Sequence, residues 1–205
     1  MADPAAPPAE EKLHRSALLT EWGANVTAEN AWREYPRPQL VRDGASWRCL
    51  NGQWDYAITA SDAKAPTAWE GSILVPFALE SRLSGVQRLL RASEALWYRR
   101  TFDLEAVAAA SGQRRFLRFE AVDYECEVWL NEALLGYHTG GFAPFSFEVT
   151  GQERRGSNTL QLRVRDPTDG TQLRGKQSPQ AHGIFYTRCS GIWQTVWMET
   201  GVISA

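Results

Sequence analysis

Apolar and polar residues alternate along most of the chain from about residue 50 onward. Leu160, Leu162 and Val164 alternate with Gln161 and Arg163, which is the period of two of a strand with one buried and one solvent-facing side. Similar runs recur, with turn residues between them. The predicted strands cover residues 53–59, 72–75, 96–104, 115–119, 125–130, 134–138, 145–149, 160–165 and 192–199.

Helical patterning is almost absent. One Ala-rich window, residues 105–110, could form a helical turn, but it is too short to organise a layer. Eight or nine short strands with so little helix predict an all-β fold, a β-sandwich of two antiparallel sheets with the jelly roll as the leading arrangement. A length of 205 residues suits one domain, predicted over residues 46–200. Proline-rich residues 1–45 are predicted to form an extended arm.

A long loop, residues 166–190, interrupts the strand rhythm. Loops of this length in a compact domain are usually functional or disordered, and this one is rich in polar and aromatic groups suited to a hydroxyl-rich ligand. We expect it to be ordered and functional. The candidate binding residues in it are Asp166, Asp169, Lys176, Gln177, His182, Tyr186 and Arg188.

Composition narrows the classes of partner. The formal net charge is −2, which provides no field to hold a nucleic acid backbone or an anionic membrane. Cys49, Cys126 and Cys189 are widely spaced without a histidine cluster, so they are expected to be reduced, and neither a metal nor a cofactor is expected. The amino terminus lacks the pattern of a secretory signal and no apolar stretch is long enough to span a membrane, so a cytoplasmic location is expected.

Several segments, taken in order, resemble the sugar-binding domain of family 2 glycoside hydrolases, the group of β-galactosidases, β-glucuronidases and β-mannosidases. The resemblance covers about residues 50–200 and includes an Asn turn followed by a Gly-Gly-Phe-x-Pro-Phe stretch. The matching segments are LNGQWDYAI, VPFALESRLSGV, LWYRRTFDL, RFLRFEAVDYECEVWLNEALLGYHTGGFAPFSFEVT, NTLQLRVRDPTDG and SGIWQTVWMET.

This resemblance implies a galactose-binding-like jelly roll at the start of a longer chain. In the family an immunoglobulin-like domain and a catalytic (β/α)₈ barrel follow, so residues 201–205 would begin a linker. It also implies that the parent protein is a retaining β-glycosidase acting on a terminal sugar, with this domain non-catalytic and its loops lining the pocket. Two other hypotheses remain open: a free-standing carbohydrate-binding module, and a structural scaffold without ligand contact.

No residue is expected to be catalytic. Asn131 and Glu132 match an Asn-Glu pair of the family's barrel, but they stand where the family has a hairpin turn, which the Asn explains. Retaining hydrolysis needs two carboxyl groups about 5 to 5.5 Å apart. Asp166 and Asp169 are close in sequence, yet the string DPTDG also forms turns in which both carboxylates accept backbone N–H groups.

The site residues have ordinary structural alternatives. In the family an acidic residue precedes the stretch that ends in Ser-Gly-Ile, whereas this chain has Phe185 and Tyr186 there, so that acid does not transfer. Arg188 could bind a hydroxyl group or pair with a carboxylate that holds the loop. His182 could be a general base, but no nucleophile or metal ligand lies near it in the sequence. A simple polar contact is the alternative. Tyr186 could stack on a pyranose face.

Overall fold

The computed structural model describes residues 20–32, 46–105 and 112–201. Two short 3₁₀ helices, Gly23–Asn25 and Arg82–Ser84, are its only helices within those residues. The strands, in chain order, are β1 Trp47–Cys49, β2 Gly52–Ala60, β3 Gly71–Val75, β4 Glu94–Leu104, β5 Arg114–Phe119, β6 Val122–Asp123, β7 Glu125–Leu130, β8 Ala133–Thr139, β9 Phe145–Glu148, β10 Gly156–Arg165, β11 Gln177–Ser178, β12 Tyr186–Thr187, β13 Gly191–Ile192 and β14 Val196–Gly201.

Two antiparallel sheets form the sandwich. The larger sheet has the order β3-β2-β4-β10-β7-β8, and the smaller one has the order β1-β14-β5-β9. Strand β1 pairs with β14, so residues from the beginning and the end of the domain share a sheet edge. Two further pairs are short: β13 with β6, and β11 with β12. The all-β sandwich prediction is confirmed.

The core lies between the inner faces of the two sheets. Trp54, Leu96 and Tyr98 from the larger sheet are buried in one cluster with Leu117 and Phe119 from the smaller one. These positions are the apolar members of the alternating runs, which is why a period of two predicted the strands so well. Trp97 is also buried, stacked on Trp129 with its indole N–H donated to Thr59 Oγ1 at 3.1 Å.

The last predicted strand is wrong as a single element. The predicted strand covers residues 192–199, but the chain leaves β13 after Ile192 and enters β14 only at Val196. The break is held by Asn51, whose side-chain oxygen accepts from Val196 N at 3.0 Å and whose amide donates to Thr195 Oγ1 at 3.2 Å. Strand β13 therefore pairs with β6, while β14 pairs with β1 and β5.

Other expectations are met or lie outside the description. Asn131 and Glu132 form the turn between β7 and β8, with φ of 52° and 73°, so the turn prediction is confirmed. Free thiols are found at Cys49, Cys126 and Cys189. Of the predicted arm only residues 20–32 are described, and most of the helical window 105–110 lies outside the described residues. In the described part, no helix is long and apolar enough to cross a membrane.

Candidate functional site

Three buried carboxyl groups meet the long loop at one end of the sandwich. Asp166 follows the end of β10, Asp123 ends β6, and Glu80 lies between β3 and the second 3₁₀ helix. They are only 1%, 2% and 8% exposed, respectively. We call these three residues the carboxyl cluster. Because buried polar groups are costly unless they are bonded, their partners define how the loop is held.

Asp166 organises both ends of the long loop. Its Oδ1 accepts hydrogen bonds from the amide and the hydroxyl of Thr168, both at 3.0 Å, and from Gln172 Nε2 at 2.9 Å. Its Oδ2 accepts from the hydroxyl of Ser190 at 2.8 Å, where the loop returns to the sandwich. Four donors on one carboxyl group make Asp166 a structural centre of the loop.

Glu80 holds the end of the loop from the opposite side. Its Oε2 accepts from Ser190 N at 2.8 Å, and its Oε1 has no hydrogen-bond partner among the described residues. Burial raises the pKa of Glu80 to about 7, against the opposing effects of the Ser190 hydrogen bonds and the nearby Arg188 guanidinium. Arg188 is itself buried and donates to Thr168 Oγ1 at 3.2 Å.

Asp123 holds the middle of the loop through Gln177. Its Oδ2 accepts from Gln177 Nε2 at 3.2 Å, while Gln177 Oε1 accepts from Cys189 N at 2.5 Å. Asp123 Oδ1 has no partner in the part of the chain described. Burial first, and the charge of Asp166 second, raise the pKa of Asp123 to about 7. The Gly141 backbone closes over this carboxyl group so tightly that a Cβ there would overlap it.

Thr168 adopts a backbone conformation that β-branched residues rarely occupy. Its φ is +50°, in the left-handed region, although it is not a glycine. Besides its bonds to Asp166 and Arg188, its carbonyl accepts from Arg174 Nη1 at 2.6 Å. Such strain persists only where the surroundings over-determine the conformation, which indicates a loop built to hold one shape.

The outward side of the long loop is exposed. Asp169 Oδ1 accepts from the Thr171 hydroxyl at 2.5 Å and from the Thr171 amide at 2.7 Å, and these bonds lower the pKa of Asp169. His182 Nδ1 lies 2.8 Å from Gln180 O. Lys176 and Tyr186 are also exposed, Tyr186 to 57%. Large apolar side chains accompany them: Leu173, Ile184 and Phe185.

The structure therefore divides the seven candidate residues into two groups. Asp166, Gln177 and Arg188 are buried in the network that holds the loop, and Asp169, Lys176, His182 and Tyr186 lie on its exposed side. Trp193, just after the loop, is half-buried and donates its indole N–H to Gly141 O at 2.8 Å. The described residues contain no group of three His, Cys, Asp or Glu side chains arranged to hold a metal ion.

Glu80 and Asp123 were not among the residues predicted from sequence. Glu80 lies 86 positions before Asp166, in the segment VPFALESRLSGV, and nothing in its spacing links the two. Asp123 has one sequence signal of burial: it directly follows the apolar pair Ala121 and Val122 and precedes the alternating strand β7. A carboxyl group in such a context is a candidate for burial, but its partners could not be read from the pattern.

Comparison with known proteins gives the fold and site a context. A family model described as glycosyl hydrolases family 2, sugar binding domain, matches residues 87–200, which is more than half of the chain. The chain belongs to this family. The matched region of this family 2 domain runs from the loop before β4 to β14 and includes the whole long loop.

Curated relatives of the domain are β-galactosidases. That of Enterobacter cloacae is 22% identical over 191 residues, covering 82% of this chain and 18% of the relative. That of Thermoanaerobacter pseudethanolicus is 28% identical over 105 residues, covering 50% of this chain and 13% of the relative. The chain thus spans less than a fifth of the length of these relatives.

Solved structures share the fold. A Bifidobacterium dentium β-glucuronidase complexed with coumarin-3-O-glucuronide superposes with a TM-score of 0.57 at 24% identity, covering 78% of this chain and 31% of that one. A Ruminococcus gnavus β-glucuronidase in complex with D-glucuronic acid gives 0.56 at 17% identity, with coverages of 78% and 30%. At such identities the likeness speaks for the fold of the family 2 domain alone.

Proposed function

We propose that this sugar-binding domain contributes its long loop to the sugar pocket of a larger family 2 β-glycosidase. The observation that carries the proposal is the two-sided construction of the loop. Three of its side chains are buried in the network that holds the loop: Asp166, Gln177 and Arg188. Three others are exposed to solvent: Lys176, His182 and Tyr186. A loop that is held in one shape and exposes polar and aromatic side chains can bind a ligand, because the rigid scaffold positions those side chains.

The chemistry of the exposed residues suits a terminal sugar. The ring of Tyr186 offers an apolar surface for the C–H face of a pyranose, and its hydroxyl group can bond a neighbouring sugar hydroxyl. Lys176 and His182 add exposed hydrogen-bonding groups on the same loop. We assign no proton transfer to any of them. In this proposal the acid and the nucleophile that retaining hydrolysis requires belong to a downstream (β/α)₈ barrel of the parent protein, beyond an immunoglobulin-like domain.

The test uses the parent glycosidase, assayed with nitrophenyl β-galactoside and β-glucuronide. Tyr186→Ala is expected to lower kcat/KM on the accepted substrate by about tenfold, which corresponds to about 1.4 kcal/mol of transition-state binding. Tyr137→Ala is the matched control, because Tyr137 is 69% exposed on β8, outside the long loop, and should leave kcat/KM unchanged. Equal effects of the two substitutions, or none at Tyr186, would count against the proposal.

A separate titration addresses the alternative of a free-standing carbohydrate-binding module. In our proposal the pocket is completed by other domains, so the 205-residue chain alone should give flat isothermal titrations with galactose, glucuronate and β-linked oligosaccharides. Saturable binding by this chain that Tyr186→Ala abolishes would favour the module instead.

A further inference from the structure

Among the described residues, the carboxyl cluster carries more potential negative charge than its surroundings neutralise. Glu80, Asp123 and Asp166 come from three separate parts of the chain, and within the described ranges the buried guanidinium near them is that of Arg188. Arg174 is farther out: it bonds the Thr168 carbonyl and acts on the exposed Asp169. With all three carboxyl groups ionised, Arg188 would leave about two negative charges uncompensated in a buried space, which is strongly unfavourable.

Within the part of the chain described, Glu80 and Asp123 each have one carboxyl oxygen without a hydrogen-bond partner. Glu80 accepts from Ser190 N and Asp123 accepts from Gln177 Nε2, each through a single oxygen. Asp166, in contrast, has both oxygens bonded by loop residues. A neutral carboxyl group can still accept these single hydrogen bonds, while its second oxygen carries the proton and no charge is buried.

We propose that Glu80 and Asp123 are positioning residues that fasten the long loop to the sandwich in their neutral, proton-bearing form, so that the loop loosens as the pH rises. The consequence for a sugar pocket rests on the function proposed above. The fastening itself does not depend on that function, because it concerns contacts within this chain.

Among the described residues, the other titratable groups that act on or respond to Glu80 and Asp123 are Arg188, Asp166 and two side chains that stay neutral. Glu80 faces Arg188, Cys189 and Tyr98, and Asp123 faces Asp166 and Cys189. The Cys189 thiol has its pKa raised to about 11 by burial and by the three carboxyl groups, so it stays neutral over the range of interest. Burial also raises the pKa of Tyr98 well above its ordinary value, so the Tyr98 side chain stays neutral as well.

The direction of the pH effect follows from linkage. The pKa of Glu80 and of Asp123 is about 7 with the loop fastened and near 4 when the groups are in water. Between these values the fastened state binds more protons than the open state. The stabilisation of the fastened state by these protons is therefore fully present below about pH 4 and is lost as the pH rises through about 7. For each group, the equilibrium constant for opening increases by at most about tenfold per pH unit.

Hydrogen exchange of the 205-residue chain between pH 5 and pH 8 tests this inference, with each rate divided by the intrinsic rate at that pH. Protection of the Cys189 and Ser190 amides, which are bonded to Gln177 and Glu80, should fall at least about tenfold over this range. Amides of β4 should change less. Asp123→Asn and Glu80→Gln keep a hydrogen-bonding oxygen but cannot ionise, and each should flatten the profile, the double variant most.

Asp62→Asn is the control, because Asp62 is an exposed carboxylate in the turn after β2, and it should keep the wild-type profile. A flat wild-type profile, or an equal fall in wild type and in each single variant, would overturn the inference. If the double variant fails to fold, the two single variants decide. No sugar enters this experiment, so its outcome is independent of whether Tyr186 contacts a ligand.

Discussion

The hydroxyl group of Tyr98 accepts a hydrogen bond from the backbone N–H of Ile192 at 3.2 Å, across 94 positions of sequence. Tyr98 lies in the middle of β4 and is completely buried, and Ile192 lies in the two-residue strand β13 directly after the long loop. This single bond ties the end of the loop to the centre of the larger sheet.

Tyr98→Phe should therefore destabilise the domain without changing its shape. The substitution leaves the Ile192 N–H buried without this acceptor, at a cost of about 1–2 kcal/mol. Urea denaturation monitored by tryptophan fluorescence measures this free energy. An unchanged midpoint would mean that the N–H finds another acceptor.

Gly141→Ala should be more costly, because there is no room for a Cβ. It would lie 2.4 Å from Cγ and Oδ1 of Asp123 and 2.7 Å from Oδ2. Displacing a buried carboxyl group that also accepts from Gln177 is expected to cost about 2–3 kcal/mol. Gly170→Ala is the control, since a Cβ there meets nothing within 4 Å. Similar unfolding midpoints for both variants would contradict the packing described for Asp123.

The ion pair between Arg118 and Glu199 should matter more than one on the surface. Arg118 Nε lies 2.6 Å from Glu199 Oε2, and the Glu199 side chain is completely buried. Arg118→Ala removes this partner from a buried carboxylate and should cost about 3–5 kcal/mol in the free energy of unfolding.

The matched control for that pair is Arg155→Ala. Arg155 Nε lies 3.3 Å from Glu105 Oε2, but both side chains are more than four-fifths exposed. Its loss should cost less than about 1 kcal/mol. A cost for Arg118→Ala no larger than that of Arg155→Ala would show that Glu199 finds compensation elsewhere.

Cys126 should resist alkylation until the domain unfolds. Burial raises the pKa of its thiol to about 12, so the reactive thiolate is scarce at pH 8 and the side chain is also inaccessible. Iodoacetamide labelling at pH 8, followed by mass spectrometry, should find Cys126 unmodified in buffer and modified in denaturant. Rapid labelling in buffer would indicate that β7 opens locally.

The sequence pattern predicted the long strands but not the short ones. Leu160, Leu162 and Val164 alternate clearly enough to mark β10, because one face of a sandwich strand is buried and the other is wet. Strand β13 has only two residues, too few for an alternating pattern to show. What separates β13 from β14 is Asn51, which is 144 and 145 positions from its two partners.

The same limit applied to the candidate site. The density of polar groups marked the long loop. The turn residues of DPTDG predicted that Asp166 and Asp169 accept hydrogen bonds from neighbouring amides, as found for both. Which side of the loop each residue faces depends on Glu80 and Asp123. They approach from other parts of the chain, and local sequence carries no information about such long-range contacts.

The anchors of the long loop also have a consequence for the order of folding. Tyr98, Asp123 and Glu80 belong to separate strands or connections, and their contacts with the loop, or with Ile192 just after it, span 54 or more positions. Because contacts between residues so far apart in sequence require large loops to close first, we expect this loop to gain its shape late, after the transition state. Substitutions at its anchors should then accelerate unfolding and leave the refolding rate almost unchanged, which makes this loop a determinant of how long the native state lasts.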